Sequence, residues 1–286
     1  MKPLYNKICL ITGGTSGIGK ASAKLLAELD GIIILVGRNE DKCQKTVQEL
    51  KQQTGNPGIH YLVADLSSQA AIRQLAAQFC QHYDRLDVLI NNAGVYLFRR
   101  LESPEGLELT FAVNHLAYFL LSNLLLDELR ASEAARVINV ASGAHHYAKL
   151  NFDDLQHNNS FDKLQVYGQS KLANIMFSYE LARRLQNSNI TVNAMNPGGV
   201  ATNLGRQNSE LRFWLRRLIR REQSPKDGAR IVVYLASSPK VFGLSGLYFE
   251  NMQPIRSSAA SYDEVAAKRL WDISADLCGL SKNQSA

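Results

Sequence analysis

The chain has 286 residues, 45% of them hydrophobic and 20% charged, an ordinary globular composition that is sufficient to bury a sizeable core. Its net charge of +6 would suit a nucleic-acid partner, but the excess lies largely in residues 206–221 and no nucleic-acid motif accompanies it. The 4 cysteines are scattered without metal-ligand spacing. We therefore expect reduced thiols, no metal site and no nucleic-acid partner.

The chain carries no sign of a signal peptide or a membrane span. Residues 1–6 are too short and too polar for a signal peptide, and polar side chains interrupt the apolar stretch 111–126. No linker rich in proline, glycine or serine divides the sequence. We expect a cytoplasmic protein with one domain over residues 1–280 and a disordered tail at 281–286.

The first chemical signal is a strand, a glycine turn and a helix. The apolar run from Ile8 to Ile11 ends in a turn containing Gly13, Gly14, Gly17 and Gly19, and helix-forming residues follow at once. Glycine permits the positive φ angles of such a turn, and the helix directs free N–H groups at an anion. This layout predicts a dinucleotide site, although a lone motif of this kind also fits a turn without a ligand.

The end of the second predicted strand indicates which dinucleotide is preferred. The apolar run 31–36 leads into Arg38, and no acidic residue occurs before Glu40. In sheets of this type an acid at this place bonds the ribose 2′-hydroxyl, whereas an arginine accommodates a 2′-phosphate. The pattern favours NADP(H); a solvated arginine at a strand end is the alternative.

Strands and helices alternate through the rest of the chain. The remaining predicted strands are 59–64, 86–90, 135–140, 190–196 and 246–249. The predicted helices are 41–53, 70–83, 105–130, 164–186, 225–236 and 262–278.

Polar residues stand out at four places along this framework. Asp65 follows the third strand and suits either a cap of the next helix or a contact with adenine. Asn91 and Asn92 end the fourth strand, where ligands bind in open α/β sheets. Asn114 interrupts an apolar helix, either as a satisfied core amide or as a distortion beside the site. His145 and His146 are adjacent, which does not suit one metal ion, so we interpret them as loop residues.

The helix 164–186 contains Tyr167 and Lys171, which are four residues apart and therefore on one helix face. An ammonium beside a phenol stabilises the phenolate and lowers its pKa from about 10 toward neutrality. Tyr167 is thus a candidate proton donor or acceptor. A second glycine turn follows strand 190–196, and Thr202 is placed to bond the cofactor there.

Residues 204–221 combine an apolar helical face around Trp214 with a face of five arginines. The segment suits a substrate lid over 204–223, a peripheral contact with an anionic membrane, or a helix packed on its own domain.

With these residues in view, the chain resembles the short-chain dehydrogenase/reductase family. The motifs that occur in the family's order are Thr12-Gly-Gly-Thr-Ser-Gly-Ile-Gly19, Asp65, Asn91-Asn-Ala-Gly94, Asn114, Ser142, Tyr167-x-x-x-Lys171 and Pro197-Gly198. The resemblance implies an α/β fold of the Rossmann type, doubly wound, with a seven-stranded, mostly parallel sheet and helices on both faces.

The resemblance also implies roles for individual residues. Tyr167 is the expected acid/base, Ser142 bonds the substrate oxygen, Lys171 lowers the tyrosine pKa and holds the nicotinamide ribose, and Asn114 anchors a water relay. Hydride would move between nicotinamide and a carbinol carbon. The expected NADP(H) contacts are Gly13, Thr15, Ser16, Gly17, Ile18, Gly19, Arg38, Asp65, Leu66, Asn92, Ala93, Gly94, Tyr167, Lys171, Pro197, Gly198, Val200 and Thr202.

Within the family the chain is similar to the branch that contains retinol dehydrogenases. The resemblance rests on 140–145, 151–155, 170–174 and the ending near Trp271. The branch usually has histidine where this chain has Asn196, and its membrane-bound members carry an amino-terminal anchor not found here. We expect an NADP(H)-dependent oxidoreductase acting on a lipophilic carbonyl or alcohol, in a chain that could form homo-oligomers by analogy. The alternative is an NADP(H)-sensing protein that binds a partner through residues 206–221.

Overall fold

A computed structural model describes residues 2–198 and 224–280, and these form one mixed sheet flanked by helices on both faces. The strands are β1 Ile8–Thr12, β2 Ile32–Gly37, β3 Ile59–Val63, β4 Val88–Asn91, β5 Ala135–Val140, β6 Ile190–Asn196, β7 Leu247–Glu250 and β8 Gln253–Ile255. Their order in the sheet is β3-β2-β1-β4-β5-β6-β7-β8. The order reverses direction between β1 and β4, which creates a crevice at their carboxyl ends.

The predicted α/β class and the mostly parallel sheet are confirmed, but the sheet has one strand more than the seven expected. The added strand β8 pairs antiparallel with β7, with Glu250 opposite Gln253. The two residues between them, Asn251 and Met252, have φ angles of 50° and 61°, as a tight two-residue hairpin turn requires. Met252 is an unusual residue for such a turn, so no hairpin signal is visible in the sequence here.

The helices cover both faces of the sheet. They are α1 Gly17–Ala27, α2 Glu40–Thr54, α3 Gln69–His82, α4 Leu109–Phe111, α5 Ala117–Leu124, α6 Leu126–Arg130, α7 Lys163–Arg184, α8 Pro225–Ser237 and α9 Glu264–Leu277. One apolar core lies between the sheet and α1, α2 and α8, and a larger core lies between the sheet and α3, α5, α7 and α9. The strand interiors are apolar because both faces of the sheet are buried.

The prediction of one continuous helix over 105–130 is wrong, because the structure divides this segment into several pieces. Helical structure begins only at Leu109, where the Glu108 carboxylate accepts hydrogen bonds from two backbone N–H groups. A π-helical segment, Ala112–Leu116, follows, and the helix is interrupted again at Leu125. Every other helix or strand predicted within the described residues ends within two residues of its observed bounds.

Within residues 2–198 and 224–280, no helix is both long enough and apolar enough to cross a membrane.

Candidate active site

The glycine turn between β1 and α1 is shaped by the neighbouring turn after β4. Gly13 has a φ angle of +66°, and a Cβ atom there would lie 3.0 Å from Ala93 Cα. A Cβ atom at Gly19 would lie 2.6 Å from Asn92 Nδ2. Only glycine permits this close approach of the two turns. Ser16, which precedes α1, makes no side-chain cap. The first N–H groups of this helix therefore have no side-chain partner among the described residues and remain available to an anion.

Thr12 fastens the two turns together. Its Oγ1 atom accepts hydrogen bonds from the backbone N–H groups of Asn92, at 2.8 Å, and Ala93, at 3.0 Å. The Asn92 amide returns a hydrogen bond of 2.8 Å from Nδ2 to the Thr12 carbonyl oxygen. Thr12, the first residue of the glycine motif, therefore clamps the two turns to each other.

Replacing Thr12 by valine should destabilise the protein. The two side chains have nearly the same shape, but valine leaves the N–H groups of Asn92 and Ala93 without an acceptor. An unsatisfied buried polar group costs about 1–3 kcal/mol, so we expect a loss of roughly that size or somewhat more in the free energy of unfolding. Urea denaturation of Thr12→Val beside Thr12→Ser measures it. Equal stability of the two variants would contradict the clamp.

Arg38 is a cation in the region expected to hold the adenosine half of the cofactor. Arg38 follows β2 and is exposed, and no side chain or backbone group of residues 2–198 or 224–280 pairs with it. Asn39 beside it is occupied, since its side chain accepts a hydrogen bond of 2.8 Å from the Lys42 N–H and caps α2. A Cβ atom on Gly37 would lie 2.8 Å from the methyl group of Thr15, so the glycine turn touches the end of β2.

Asp65 does not cap α3. Its Oδ1 atom accepts hydrogen bonds from the N–H, at 3.0 Å, and the hydroxyl, at 2.8 Å, of Ser67, while Ser68 caps the helix. Asp65 is exposed, and Leu66 behind it is buried. The carboxylate therefore shapes the turn after β3 at the same edge of the sheet as Arg38.

Ser142 and Tyr167 are brought together by a close contact between two elements. Ser142 begins a 3₁₀ segment, Gly143–Tyr147, which packs against α7 at Gly168. A Cβ atom on Gly168 would lie 2.9 Å from the Ala144 carbonyl oxygen and 2.9 Å from Ala148 Cβ. Because Gly168 has no side chain, the Ser142 hydroxyl comes close enough to Tyr167 to affect the pKa of its phenol.

Lys171 lies on the same side of α7 as Tyr167, as its spacing predicts. Its Nζ atom donates a hydrogen bond of 3.0 Å to the Val140 carbonyl oxygen, and it lies 5.7 Å from the ring centroids of both Tyr118 and Tyr167. The side chain is only 3% exposed. Burial lowers the pKa of Lys171 from its ordinary value of 10.5 to about 7.

The expected lowering of the Tyr167 pKa is not present in this structure. Burial raises the pKa of Tyr167 to about 12, and the hydrogen bond from the Ser142 side chain opposes that rise only in part. Lys171 does not offset it, because its amine is directed at the Val140 carbonyl oxygen. Lys171 is also only partly protonated near neutrality.

Asn114 satisfies both interpretations of its place in the sequence. It lies in the π-helical segment, so the helix is distorted there, and it is fully buried. Its Oδ1 atom accepts from the Val95 N–H at 2.7 Å, and its Nδ2 atom donates to the Val95 carbonyl oxygen and to Ser170 Oγ, both at 3.0 Å. A Cβ atom on Gly94 would lie 3.3 Å from Asn114 Oδ1 and 3.7 Å from Lys171 Nζ. Asn114 thus joins the turn after β4 to α7.

Pro197 and Gly198 end β6 at the same edge. Gly198 has a φ angle of +78°, and its N–H donates a hydrogen bond of 3.1 Å to Asn196 Oδ1. Asn196, which replaces the usual histidine, therefore stabilises this turn. Val200, Thr202 and the predicted lid 204–223 lie outside the described residues.

Sequence reasoning missed two aromatic residues beside the site. The ring centroid of Tyr96 lies 5.2 Å from that of Tyr167, and Phe98 lies 5.4 Å from Tyr96. The alternation of Tyr96 and Phe98 directly after Gly94 was the only available signal. His145 was also misinterpreted: it lies in the 3₁₀ segment and is fully buried.

The residues that converge fit a nicotinamide dinucleotide better than a metal ion. Two positive-φ glycines and an uncapped helix start suit the phosphates, and the partly buried Tyr167 and the buried Lys171 lie further along the same crevice. No group of three or more histidine, cysteine, aspartate or glutamate side chains in the part of the chain that the structure describes could hold a metal.

Comparison with known proteins gives one family. The model of the short chain dehydrogenase family matches residues 7–212. Retinol dehydrogenase 14 from Homo sapiens is 38% identical over 297 residues, which cover 98% of this chain and 88% of the human protein. Polyprenol dehydrogenase from Homo sapiens is 36% identical over 290 residues, covering 97% of this chain and 87% of that protein. The solved complex of Pseudomonas aeruginosa RhlG with NADP is 29% identical, with a TM-score of 0.72, and the match covers 87% of this chain and 97% of RhlG.

Proposed function

The chain belongs to the short-chain dehydrogenase/reductase family, in its retinol dehydrogenase branch, and on that basis we propose that it is an NADP(H)-dependent oxidoreductase that interconverts a lipophilic alcohol and its carbonyl form. The observation that carries the proposal is the convergence of Ser142, Tyr167 and Lys171 at the crevice that the glycine turn opens onto. Fold alone would not support it, because one fold hosts many functions.

The proposed chemistry assigns a separate task to each side chain. A bound nicotinamide supplies or accepts the hydride. Tyr167 gives its proton to the substrate oxygen during reduction and takes it back during oxidation. The Ser142 hydroxyl donates a hydrogen bond to the same oxygen as charge develops there. Lys171, when protonated, provides the positive charge that stabilises the phenolate form of Tyr167.

The choice of NADP(H) over NAD(H) is supported by Arg38. At the end of β2, the Arg38 guanidinium is exposed and has no partner within residues 2–198 and 224–280. Such a group suits a 2′-phosphate, which it can bind with two parallel hydrogen bonds. No acidic residue lies between the end of β2 and Glu40, so the ribose-binding acid of NAD enzymes is missing from this place. The similar RhlG was solved with NADP.

Arg38→Ala should weaken NADPH binding while changing NADH binding little. Hydrogen bonds to charged groups contribute about 1.5–3 kcal/mol, so we expect the dissociation constant for NADPH to rise roughly tenfold to a hundredfold. Fluorescence titration with both nucleotides measures the ratio. Arg130→Ala, which removes an exposed arginine far from the crevice, is the control. An unchanged NADPH-to-NADH ratio would refute this role.

The lipophilic substrate is supported by Tyr96 and Phe98. Their rings form an edge-to-face series with Tyr167, at 5.4 Å and 5.2 Å between successive centroids. Such a wall favours an apolar chain or ring beside the reacting carbon. Two relatives are named for lipophilic alcohols, retinol and polyprenol. We propose a substrate of that class, a retinoid, a steroid or a long-chain aldehyde or ketone among the candidates.

The test is the fall in NADPH absorbance with purified protein and a panel of carbonyls, from small polar ketones to retinal and long-chain aldehydes. Turnover confined to the lipophilic members would support the whole proposal. Turnover confined to small polar ketones would refute the substrate class but retain the reaction. Tight NADPH binding with no turnover on any member would favour the cofactor-sensing alternative.

The cofactor-sensing alternative rests on residues 206–221, and the predicted membrane contact rests on residues 204–221. Both segments lie outside the described residues. Cytoplasmic localisation and homo-oligomer formation likewise remain predictions from the sequence and the family resemblance.

A further inference from the structure

His145 occupies an unusual position next to the candidate catalytic serine. It follows Ser142 by three residues in the 3₁₀ segment Gly143–Tyr147, and it is fully buried, whereas His146 and Tyr147 are exposed. The proposed reaction gives it no task. In a buried histidine each ring nitrogen needs a hydrogen-bond partner, and those partners determine where the proton lies.

Both nitrogens have partners, and the partners fix the position of the proton. His145 Nδ1 lies 2.7 Å from the carbonyl oxygen of Ser142, which can only accept a hydrogen bond. His145 Nε2 lies 3.1 Å from the backbone N–H of Ser258, which can only donate one. The ring must therefore be neutral, with its proton on Nδ1. Burial also lowers the pKa of His145 to about 4, consistent with a neutral ring.

The Ser258 side of this bridge is itself anchored to α7. Ser257 Oγ lies 2.7 Å from the Tyr179 hydroxyl and 2.6 Å from Ser261 Oγ. The Ser257 N–H donates a hydrogen bond of 3.2 Å to the Tyr262 hydroxyl. The His145 ring packs edge-on against Tyr248, with 5.0 Å between centroids. The bridge thus runs from the Ser142 backbone through an immobilised ring to a loop, residues 257–262, that is fastened to the helix carrying Tyr167.

We propose that His145 is a positioning residue that holds the backbone of Ser142, and with it the Ser142 hydroxyl, at a fixed distance from Tyr167. This inference rests on the proposed function of Ser142. The Ser142 carbonyl oxygen and the Ser258 N–H together select the tautomer, because the carbonyl requires a proton on Nδ1 and the N–H requires an unprotonated Nε2. His145 does not itself transfer protons, since both nitrogens are engaged with backbone groups.

Removing the backbone N–H of Ser258 tests whether the His145 bridge affects catalysis by Ser142. Ser258 has a φ angle of −60°, which proline adopts without strain, so Ser258→Pro removes the donor to His145. Ser258→Ala keeps that N–H and removes only a hydroxyl that has no partner among the described residues. We expect Ser258→Pro to lower kcat by about tenfold to a hundredfold, the effect of a small misplacement, with KM and the NADPH dissociation constant unchanged. Ser258→Ala should retain the original kcat.

Equal kcat values in Ser258→Pro and Ser258→Ala would overturn the proposal that His145 positions Ser142. A Ser258→Pro effect confined to KM would overturn it as well. If Ser258→Pro does not fold, as judged by circular dichroism, His145→Phe provides the same comparison. It preserves the ring and removes both hydrogen bonds, and an unchanged kcat in it would overturn the proposal.

The tautomer is tested without any turnover. Nitrogen NMR of the wild-type protein labelled at histidine should show His145 neutral and protonated at Nδ1 over about pH 6 to 8. A proton on Nε2, or a positively charged ring in that range, would overturn the proposal. Failure of the proposed function would appear separately, as an absence of carbonyl turnover with this tautomer intact.

Discussion

Tyr167→Phe should lower turnover by about a hundredfold to ten-thousandfold while leaving NADPH affinity unchanged. General acid/base catalysis by a positioned side chain contributes a factor of that size. Phenylalanine keeps the ring in its edge-on contact with Tyr96 at 5.2 Å, so the fold and the aromatic wall should survive. The measurement pairs steady-state NADPH oxidation on the best carbonyl with a direct binding titration.

A matched control is available on the opposite face of the sheet. Tyr234 lies on α8 and makes no side-chain hydrogen bond within residues 2–198 and 224–280, so Tyr234→Phe should behave as the unmodified protein. Full activity in Tyr167→Phe would refute the acid/base role. Loss of NADPH binding in that variant would instead show that the Tyr167 hydroxyl is needed to bind the cofactor.

Much of the fold was predictable because its signals are local. The apolar runs of β1 and β2 and the spacing of Tyr167 and Lys171 each depend on a few adjacent residues. The convergence of the site followed from one topological rule, since the carboxyl ends of parallel strands meet at the same edge of a sheet. This rule predicts that the residues following β4, β5 and β6 lie at one edge of the sheet, and these include Asn92, Ser142 and Gly198.

The remainder was not predictable because it depends on contacts between distant segments. The π-helical segment at Asn114 is tied to Val95 and Ser170, 19 and 56 residues away in the sequence. The bridge from His145 to Ser258 joins residues 113 positions apart. A periodicity argument considers one segment at a time, so it classed His145 as a loop residue.

The electrostatics of the tyrosine and lysine pair show the same limit. Helical spacing correctly placed Lys171 beside Tyr167, but it could not reveal that the amine is directed at the Val140 carbonyl oxygen or that both side chains lose water on folding. Burial opposes the charged form of each group, so it raises the pKa of Tyr167 and lowers that of Lys171.

Lys171→Met should abolish most turnover and yet fail to destabilise the protein at neutral pH. Methionine fills a similar volume, and it removes an amine whose burial lowers its pKa from 10.5 to about 7. Between those two pH values the unfolded chain holds a proton that the folded chain lacks. The free energy of unfolding of the original protein should therefore rise with pH across this window, by up to about 1.4 kcal/mol per pH unit from this one group.

Urea denaturation at pH 7, 8 and 9 measures this slope, and these pH values lie below the range in which Tyr167 itself ionises. We expect the difference in unfolding free energy between the original protein and Lys171→Met to change steadily with pH. Lys268→Met, which removes an exposed lysine of α9, should leave the slope intact. Parallel pH profiles for the original protein and Lys171→Met would mean that Lys171 carries its charge in the folded state. In that case the Lys171 ammonium would stabilise the phenolate form of Tyr167, as the helical spacing predicts.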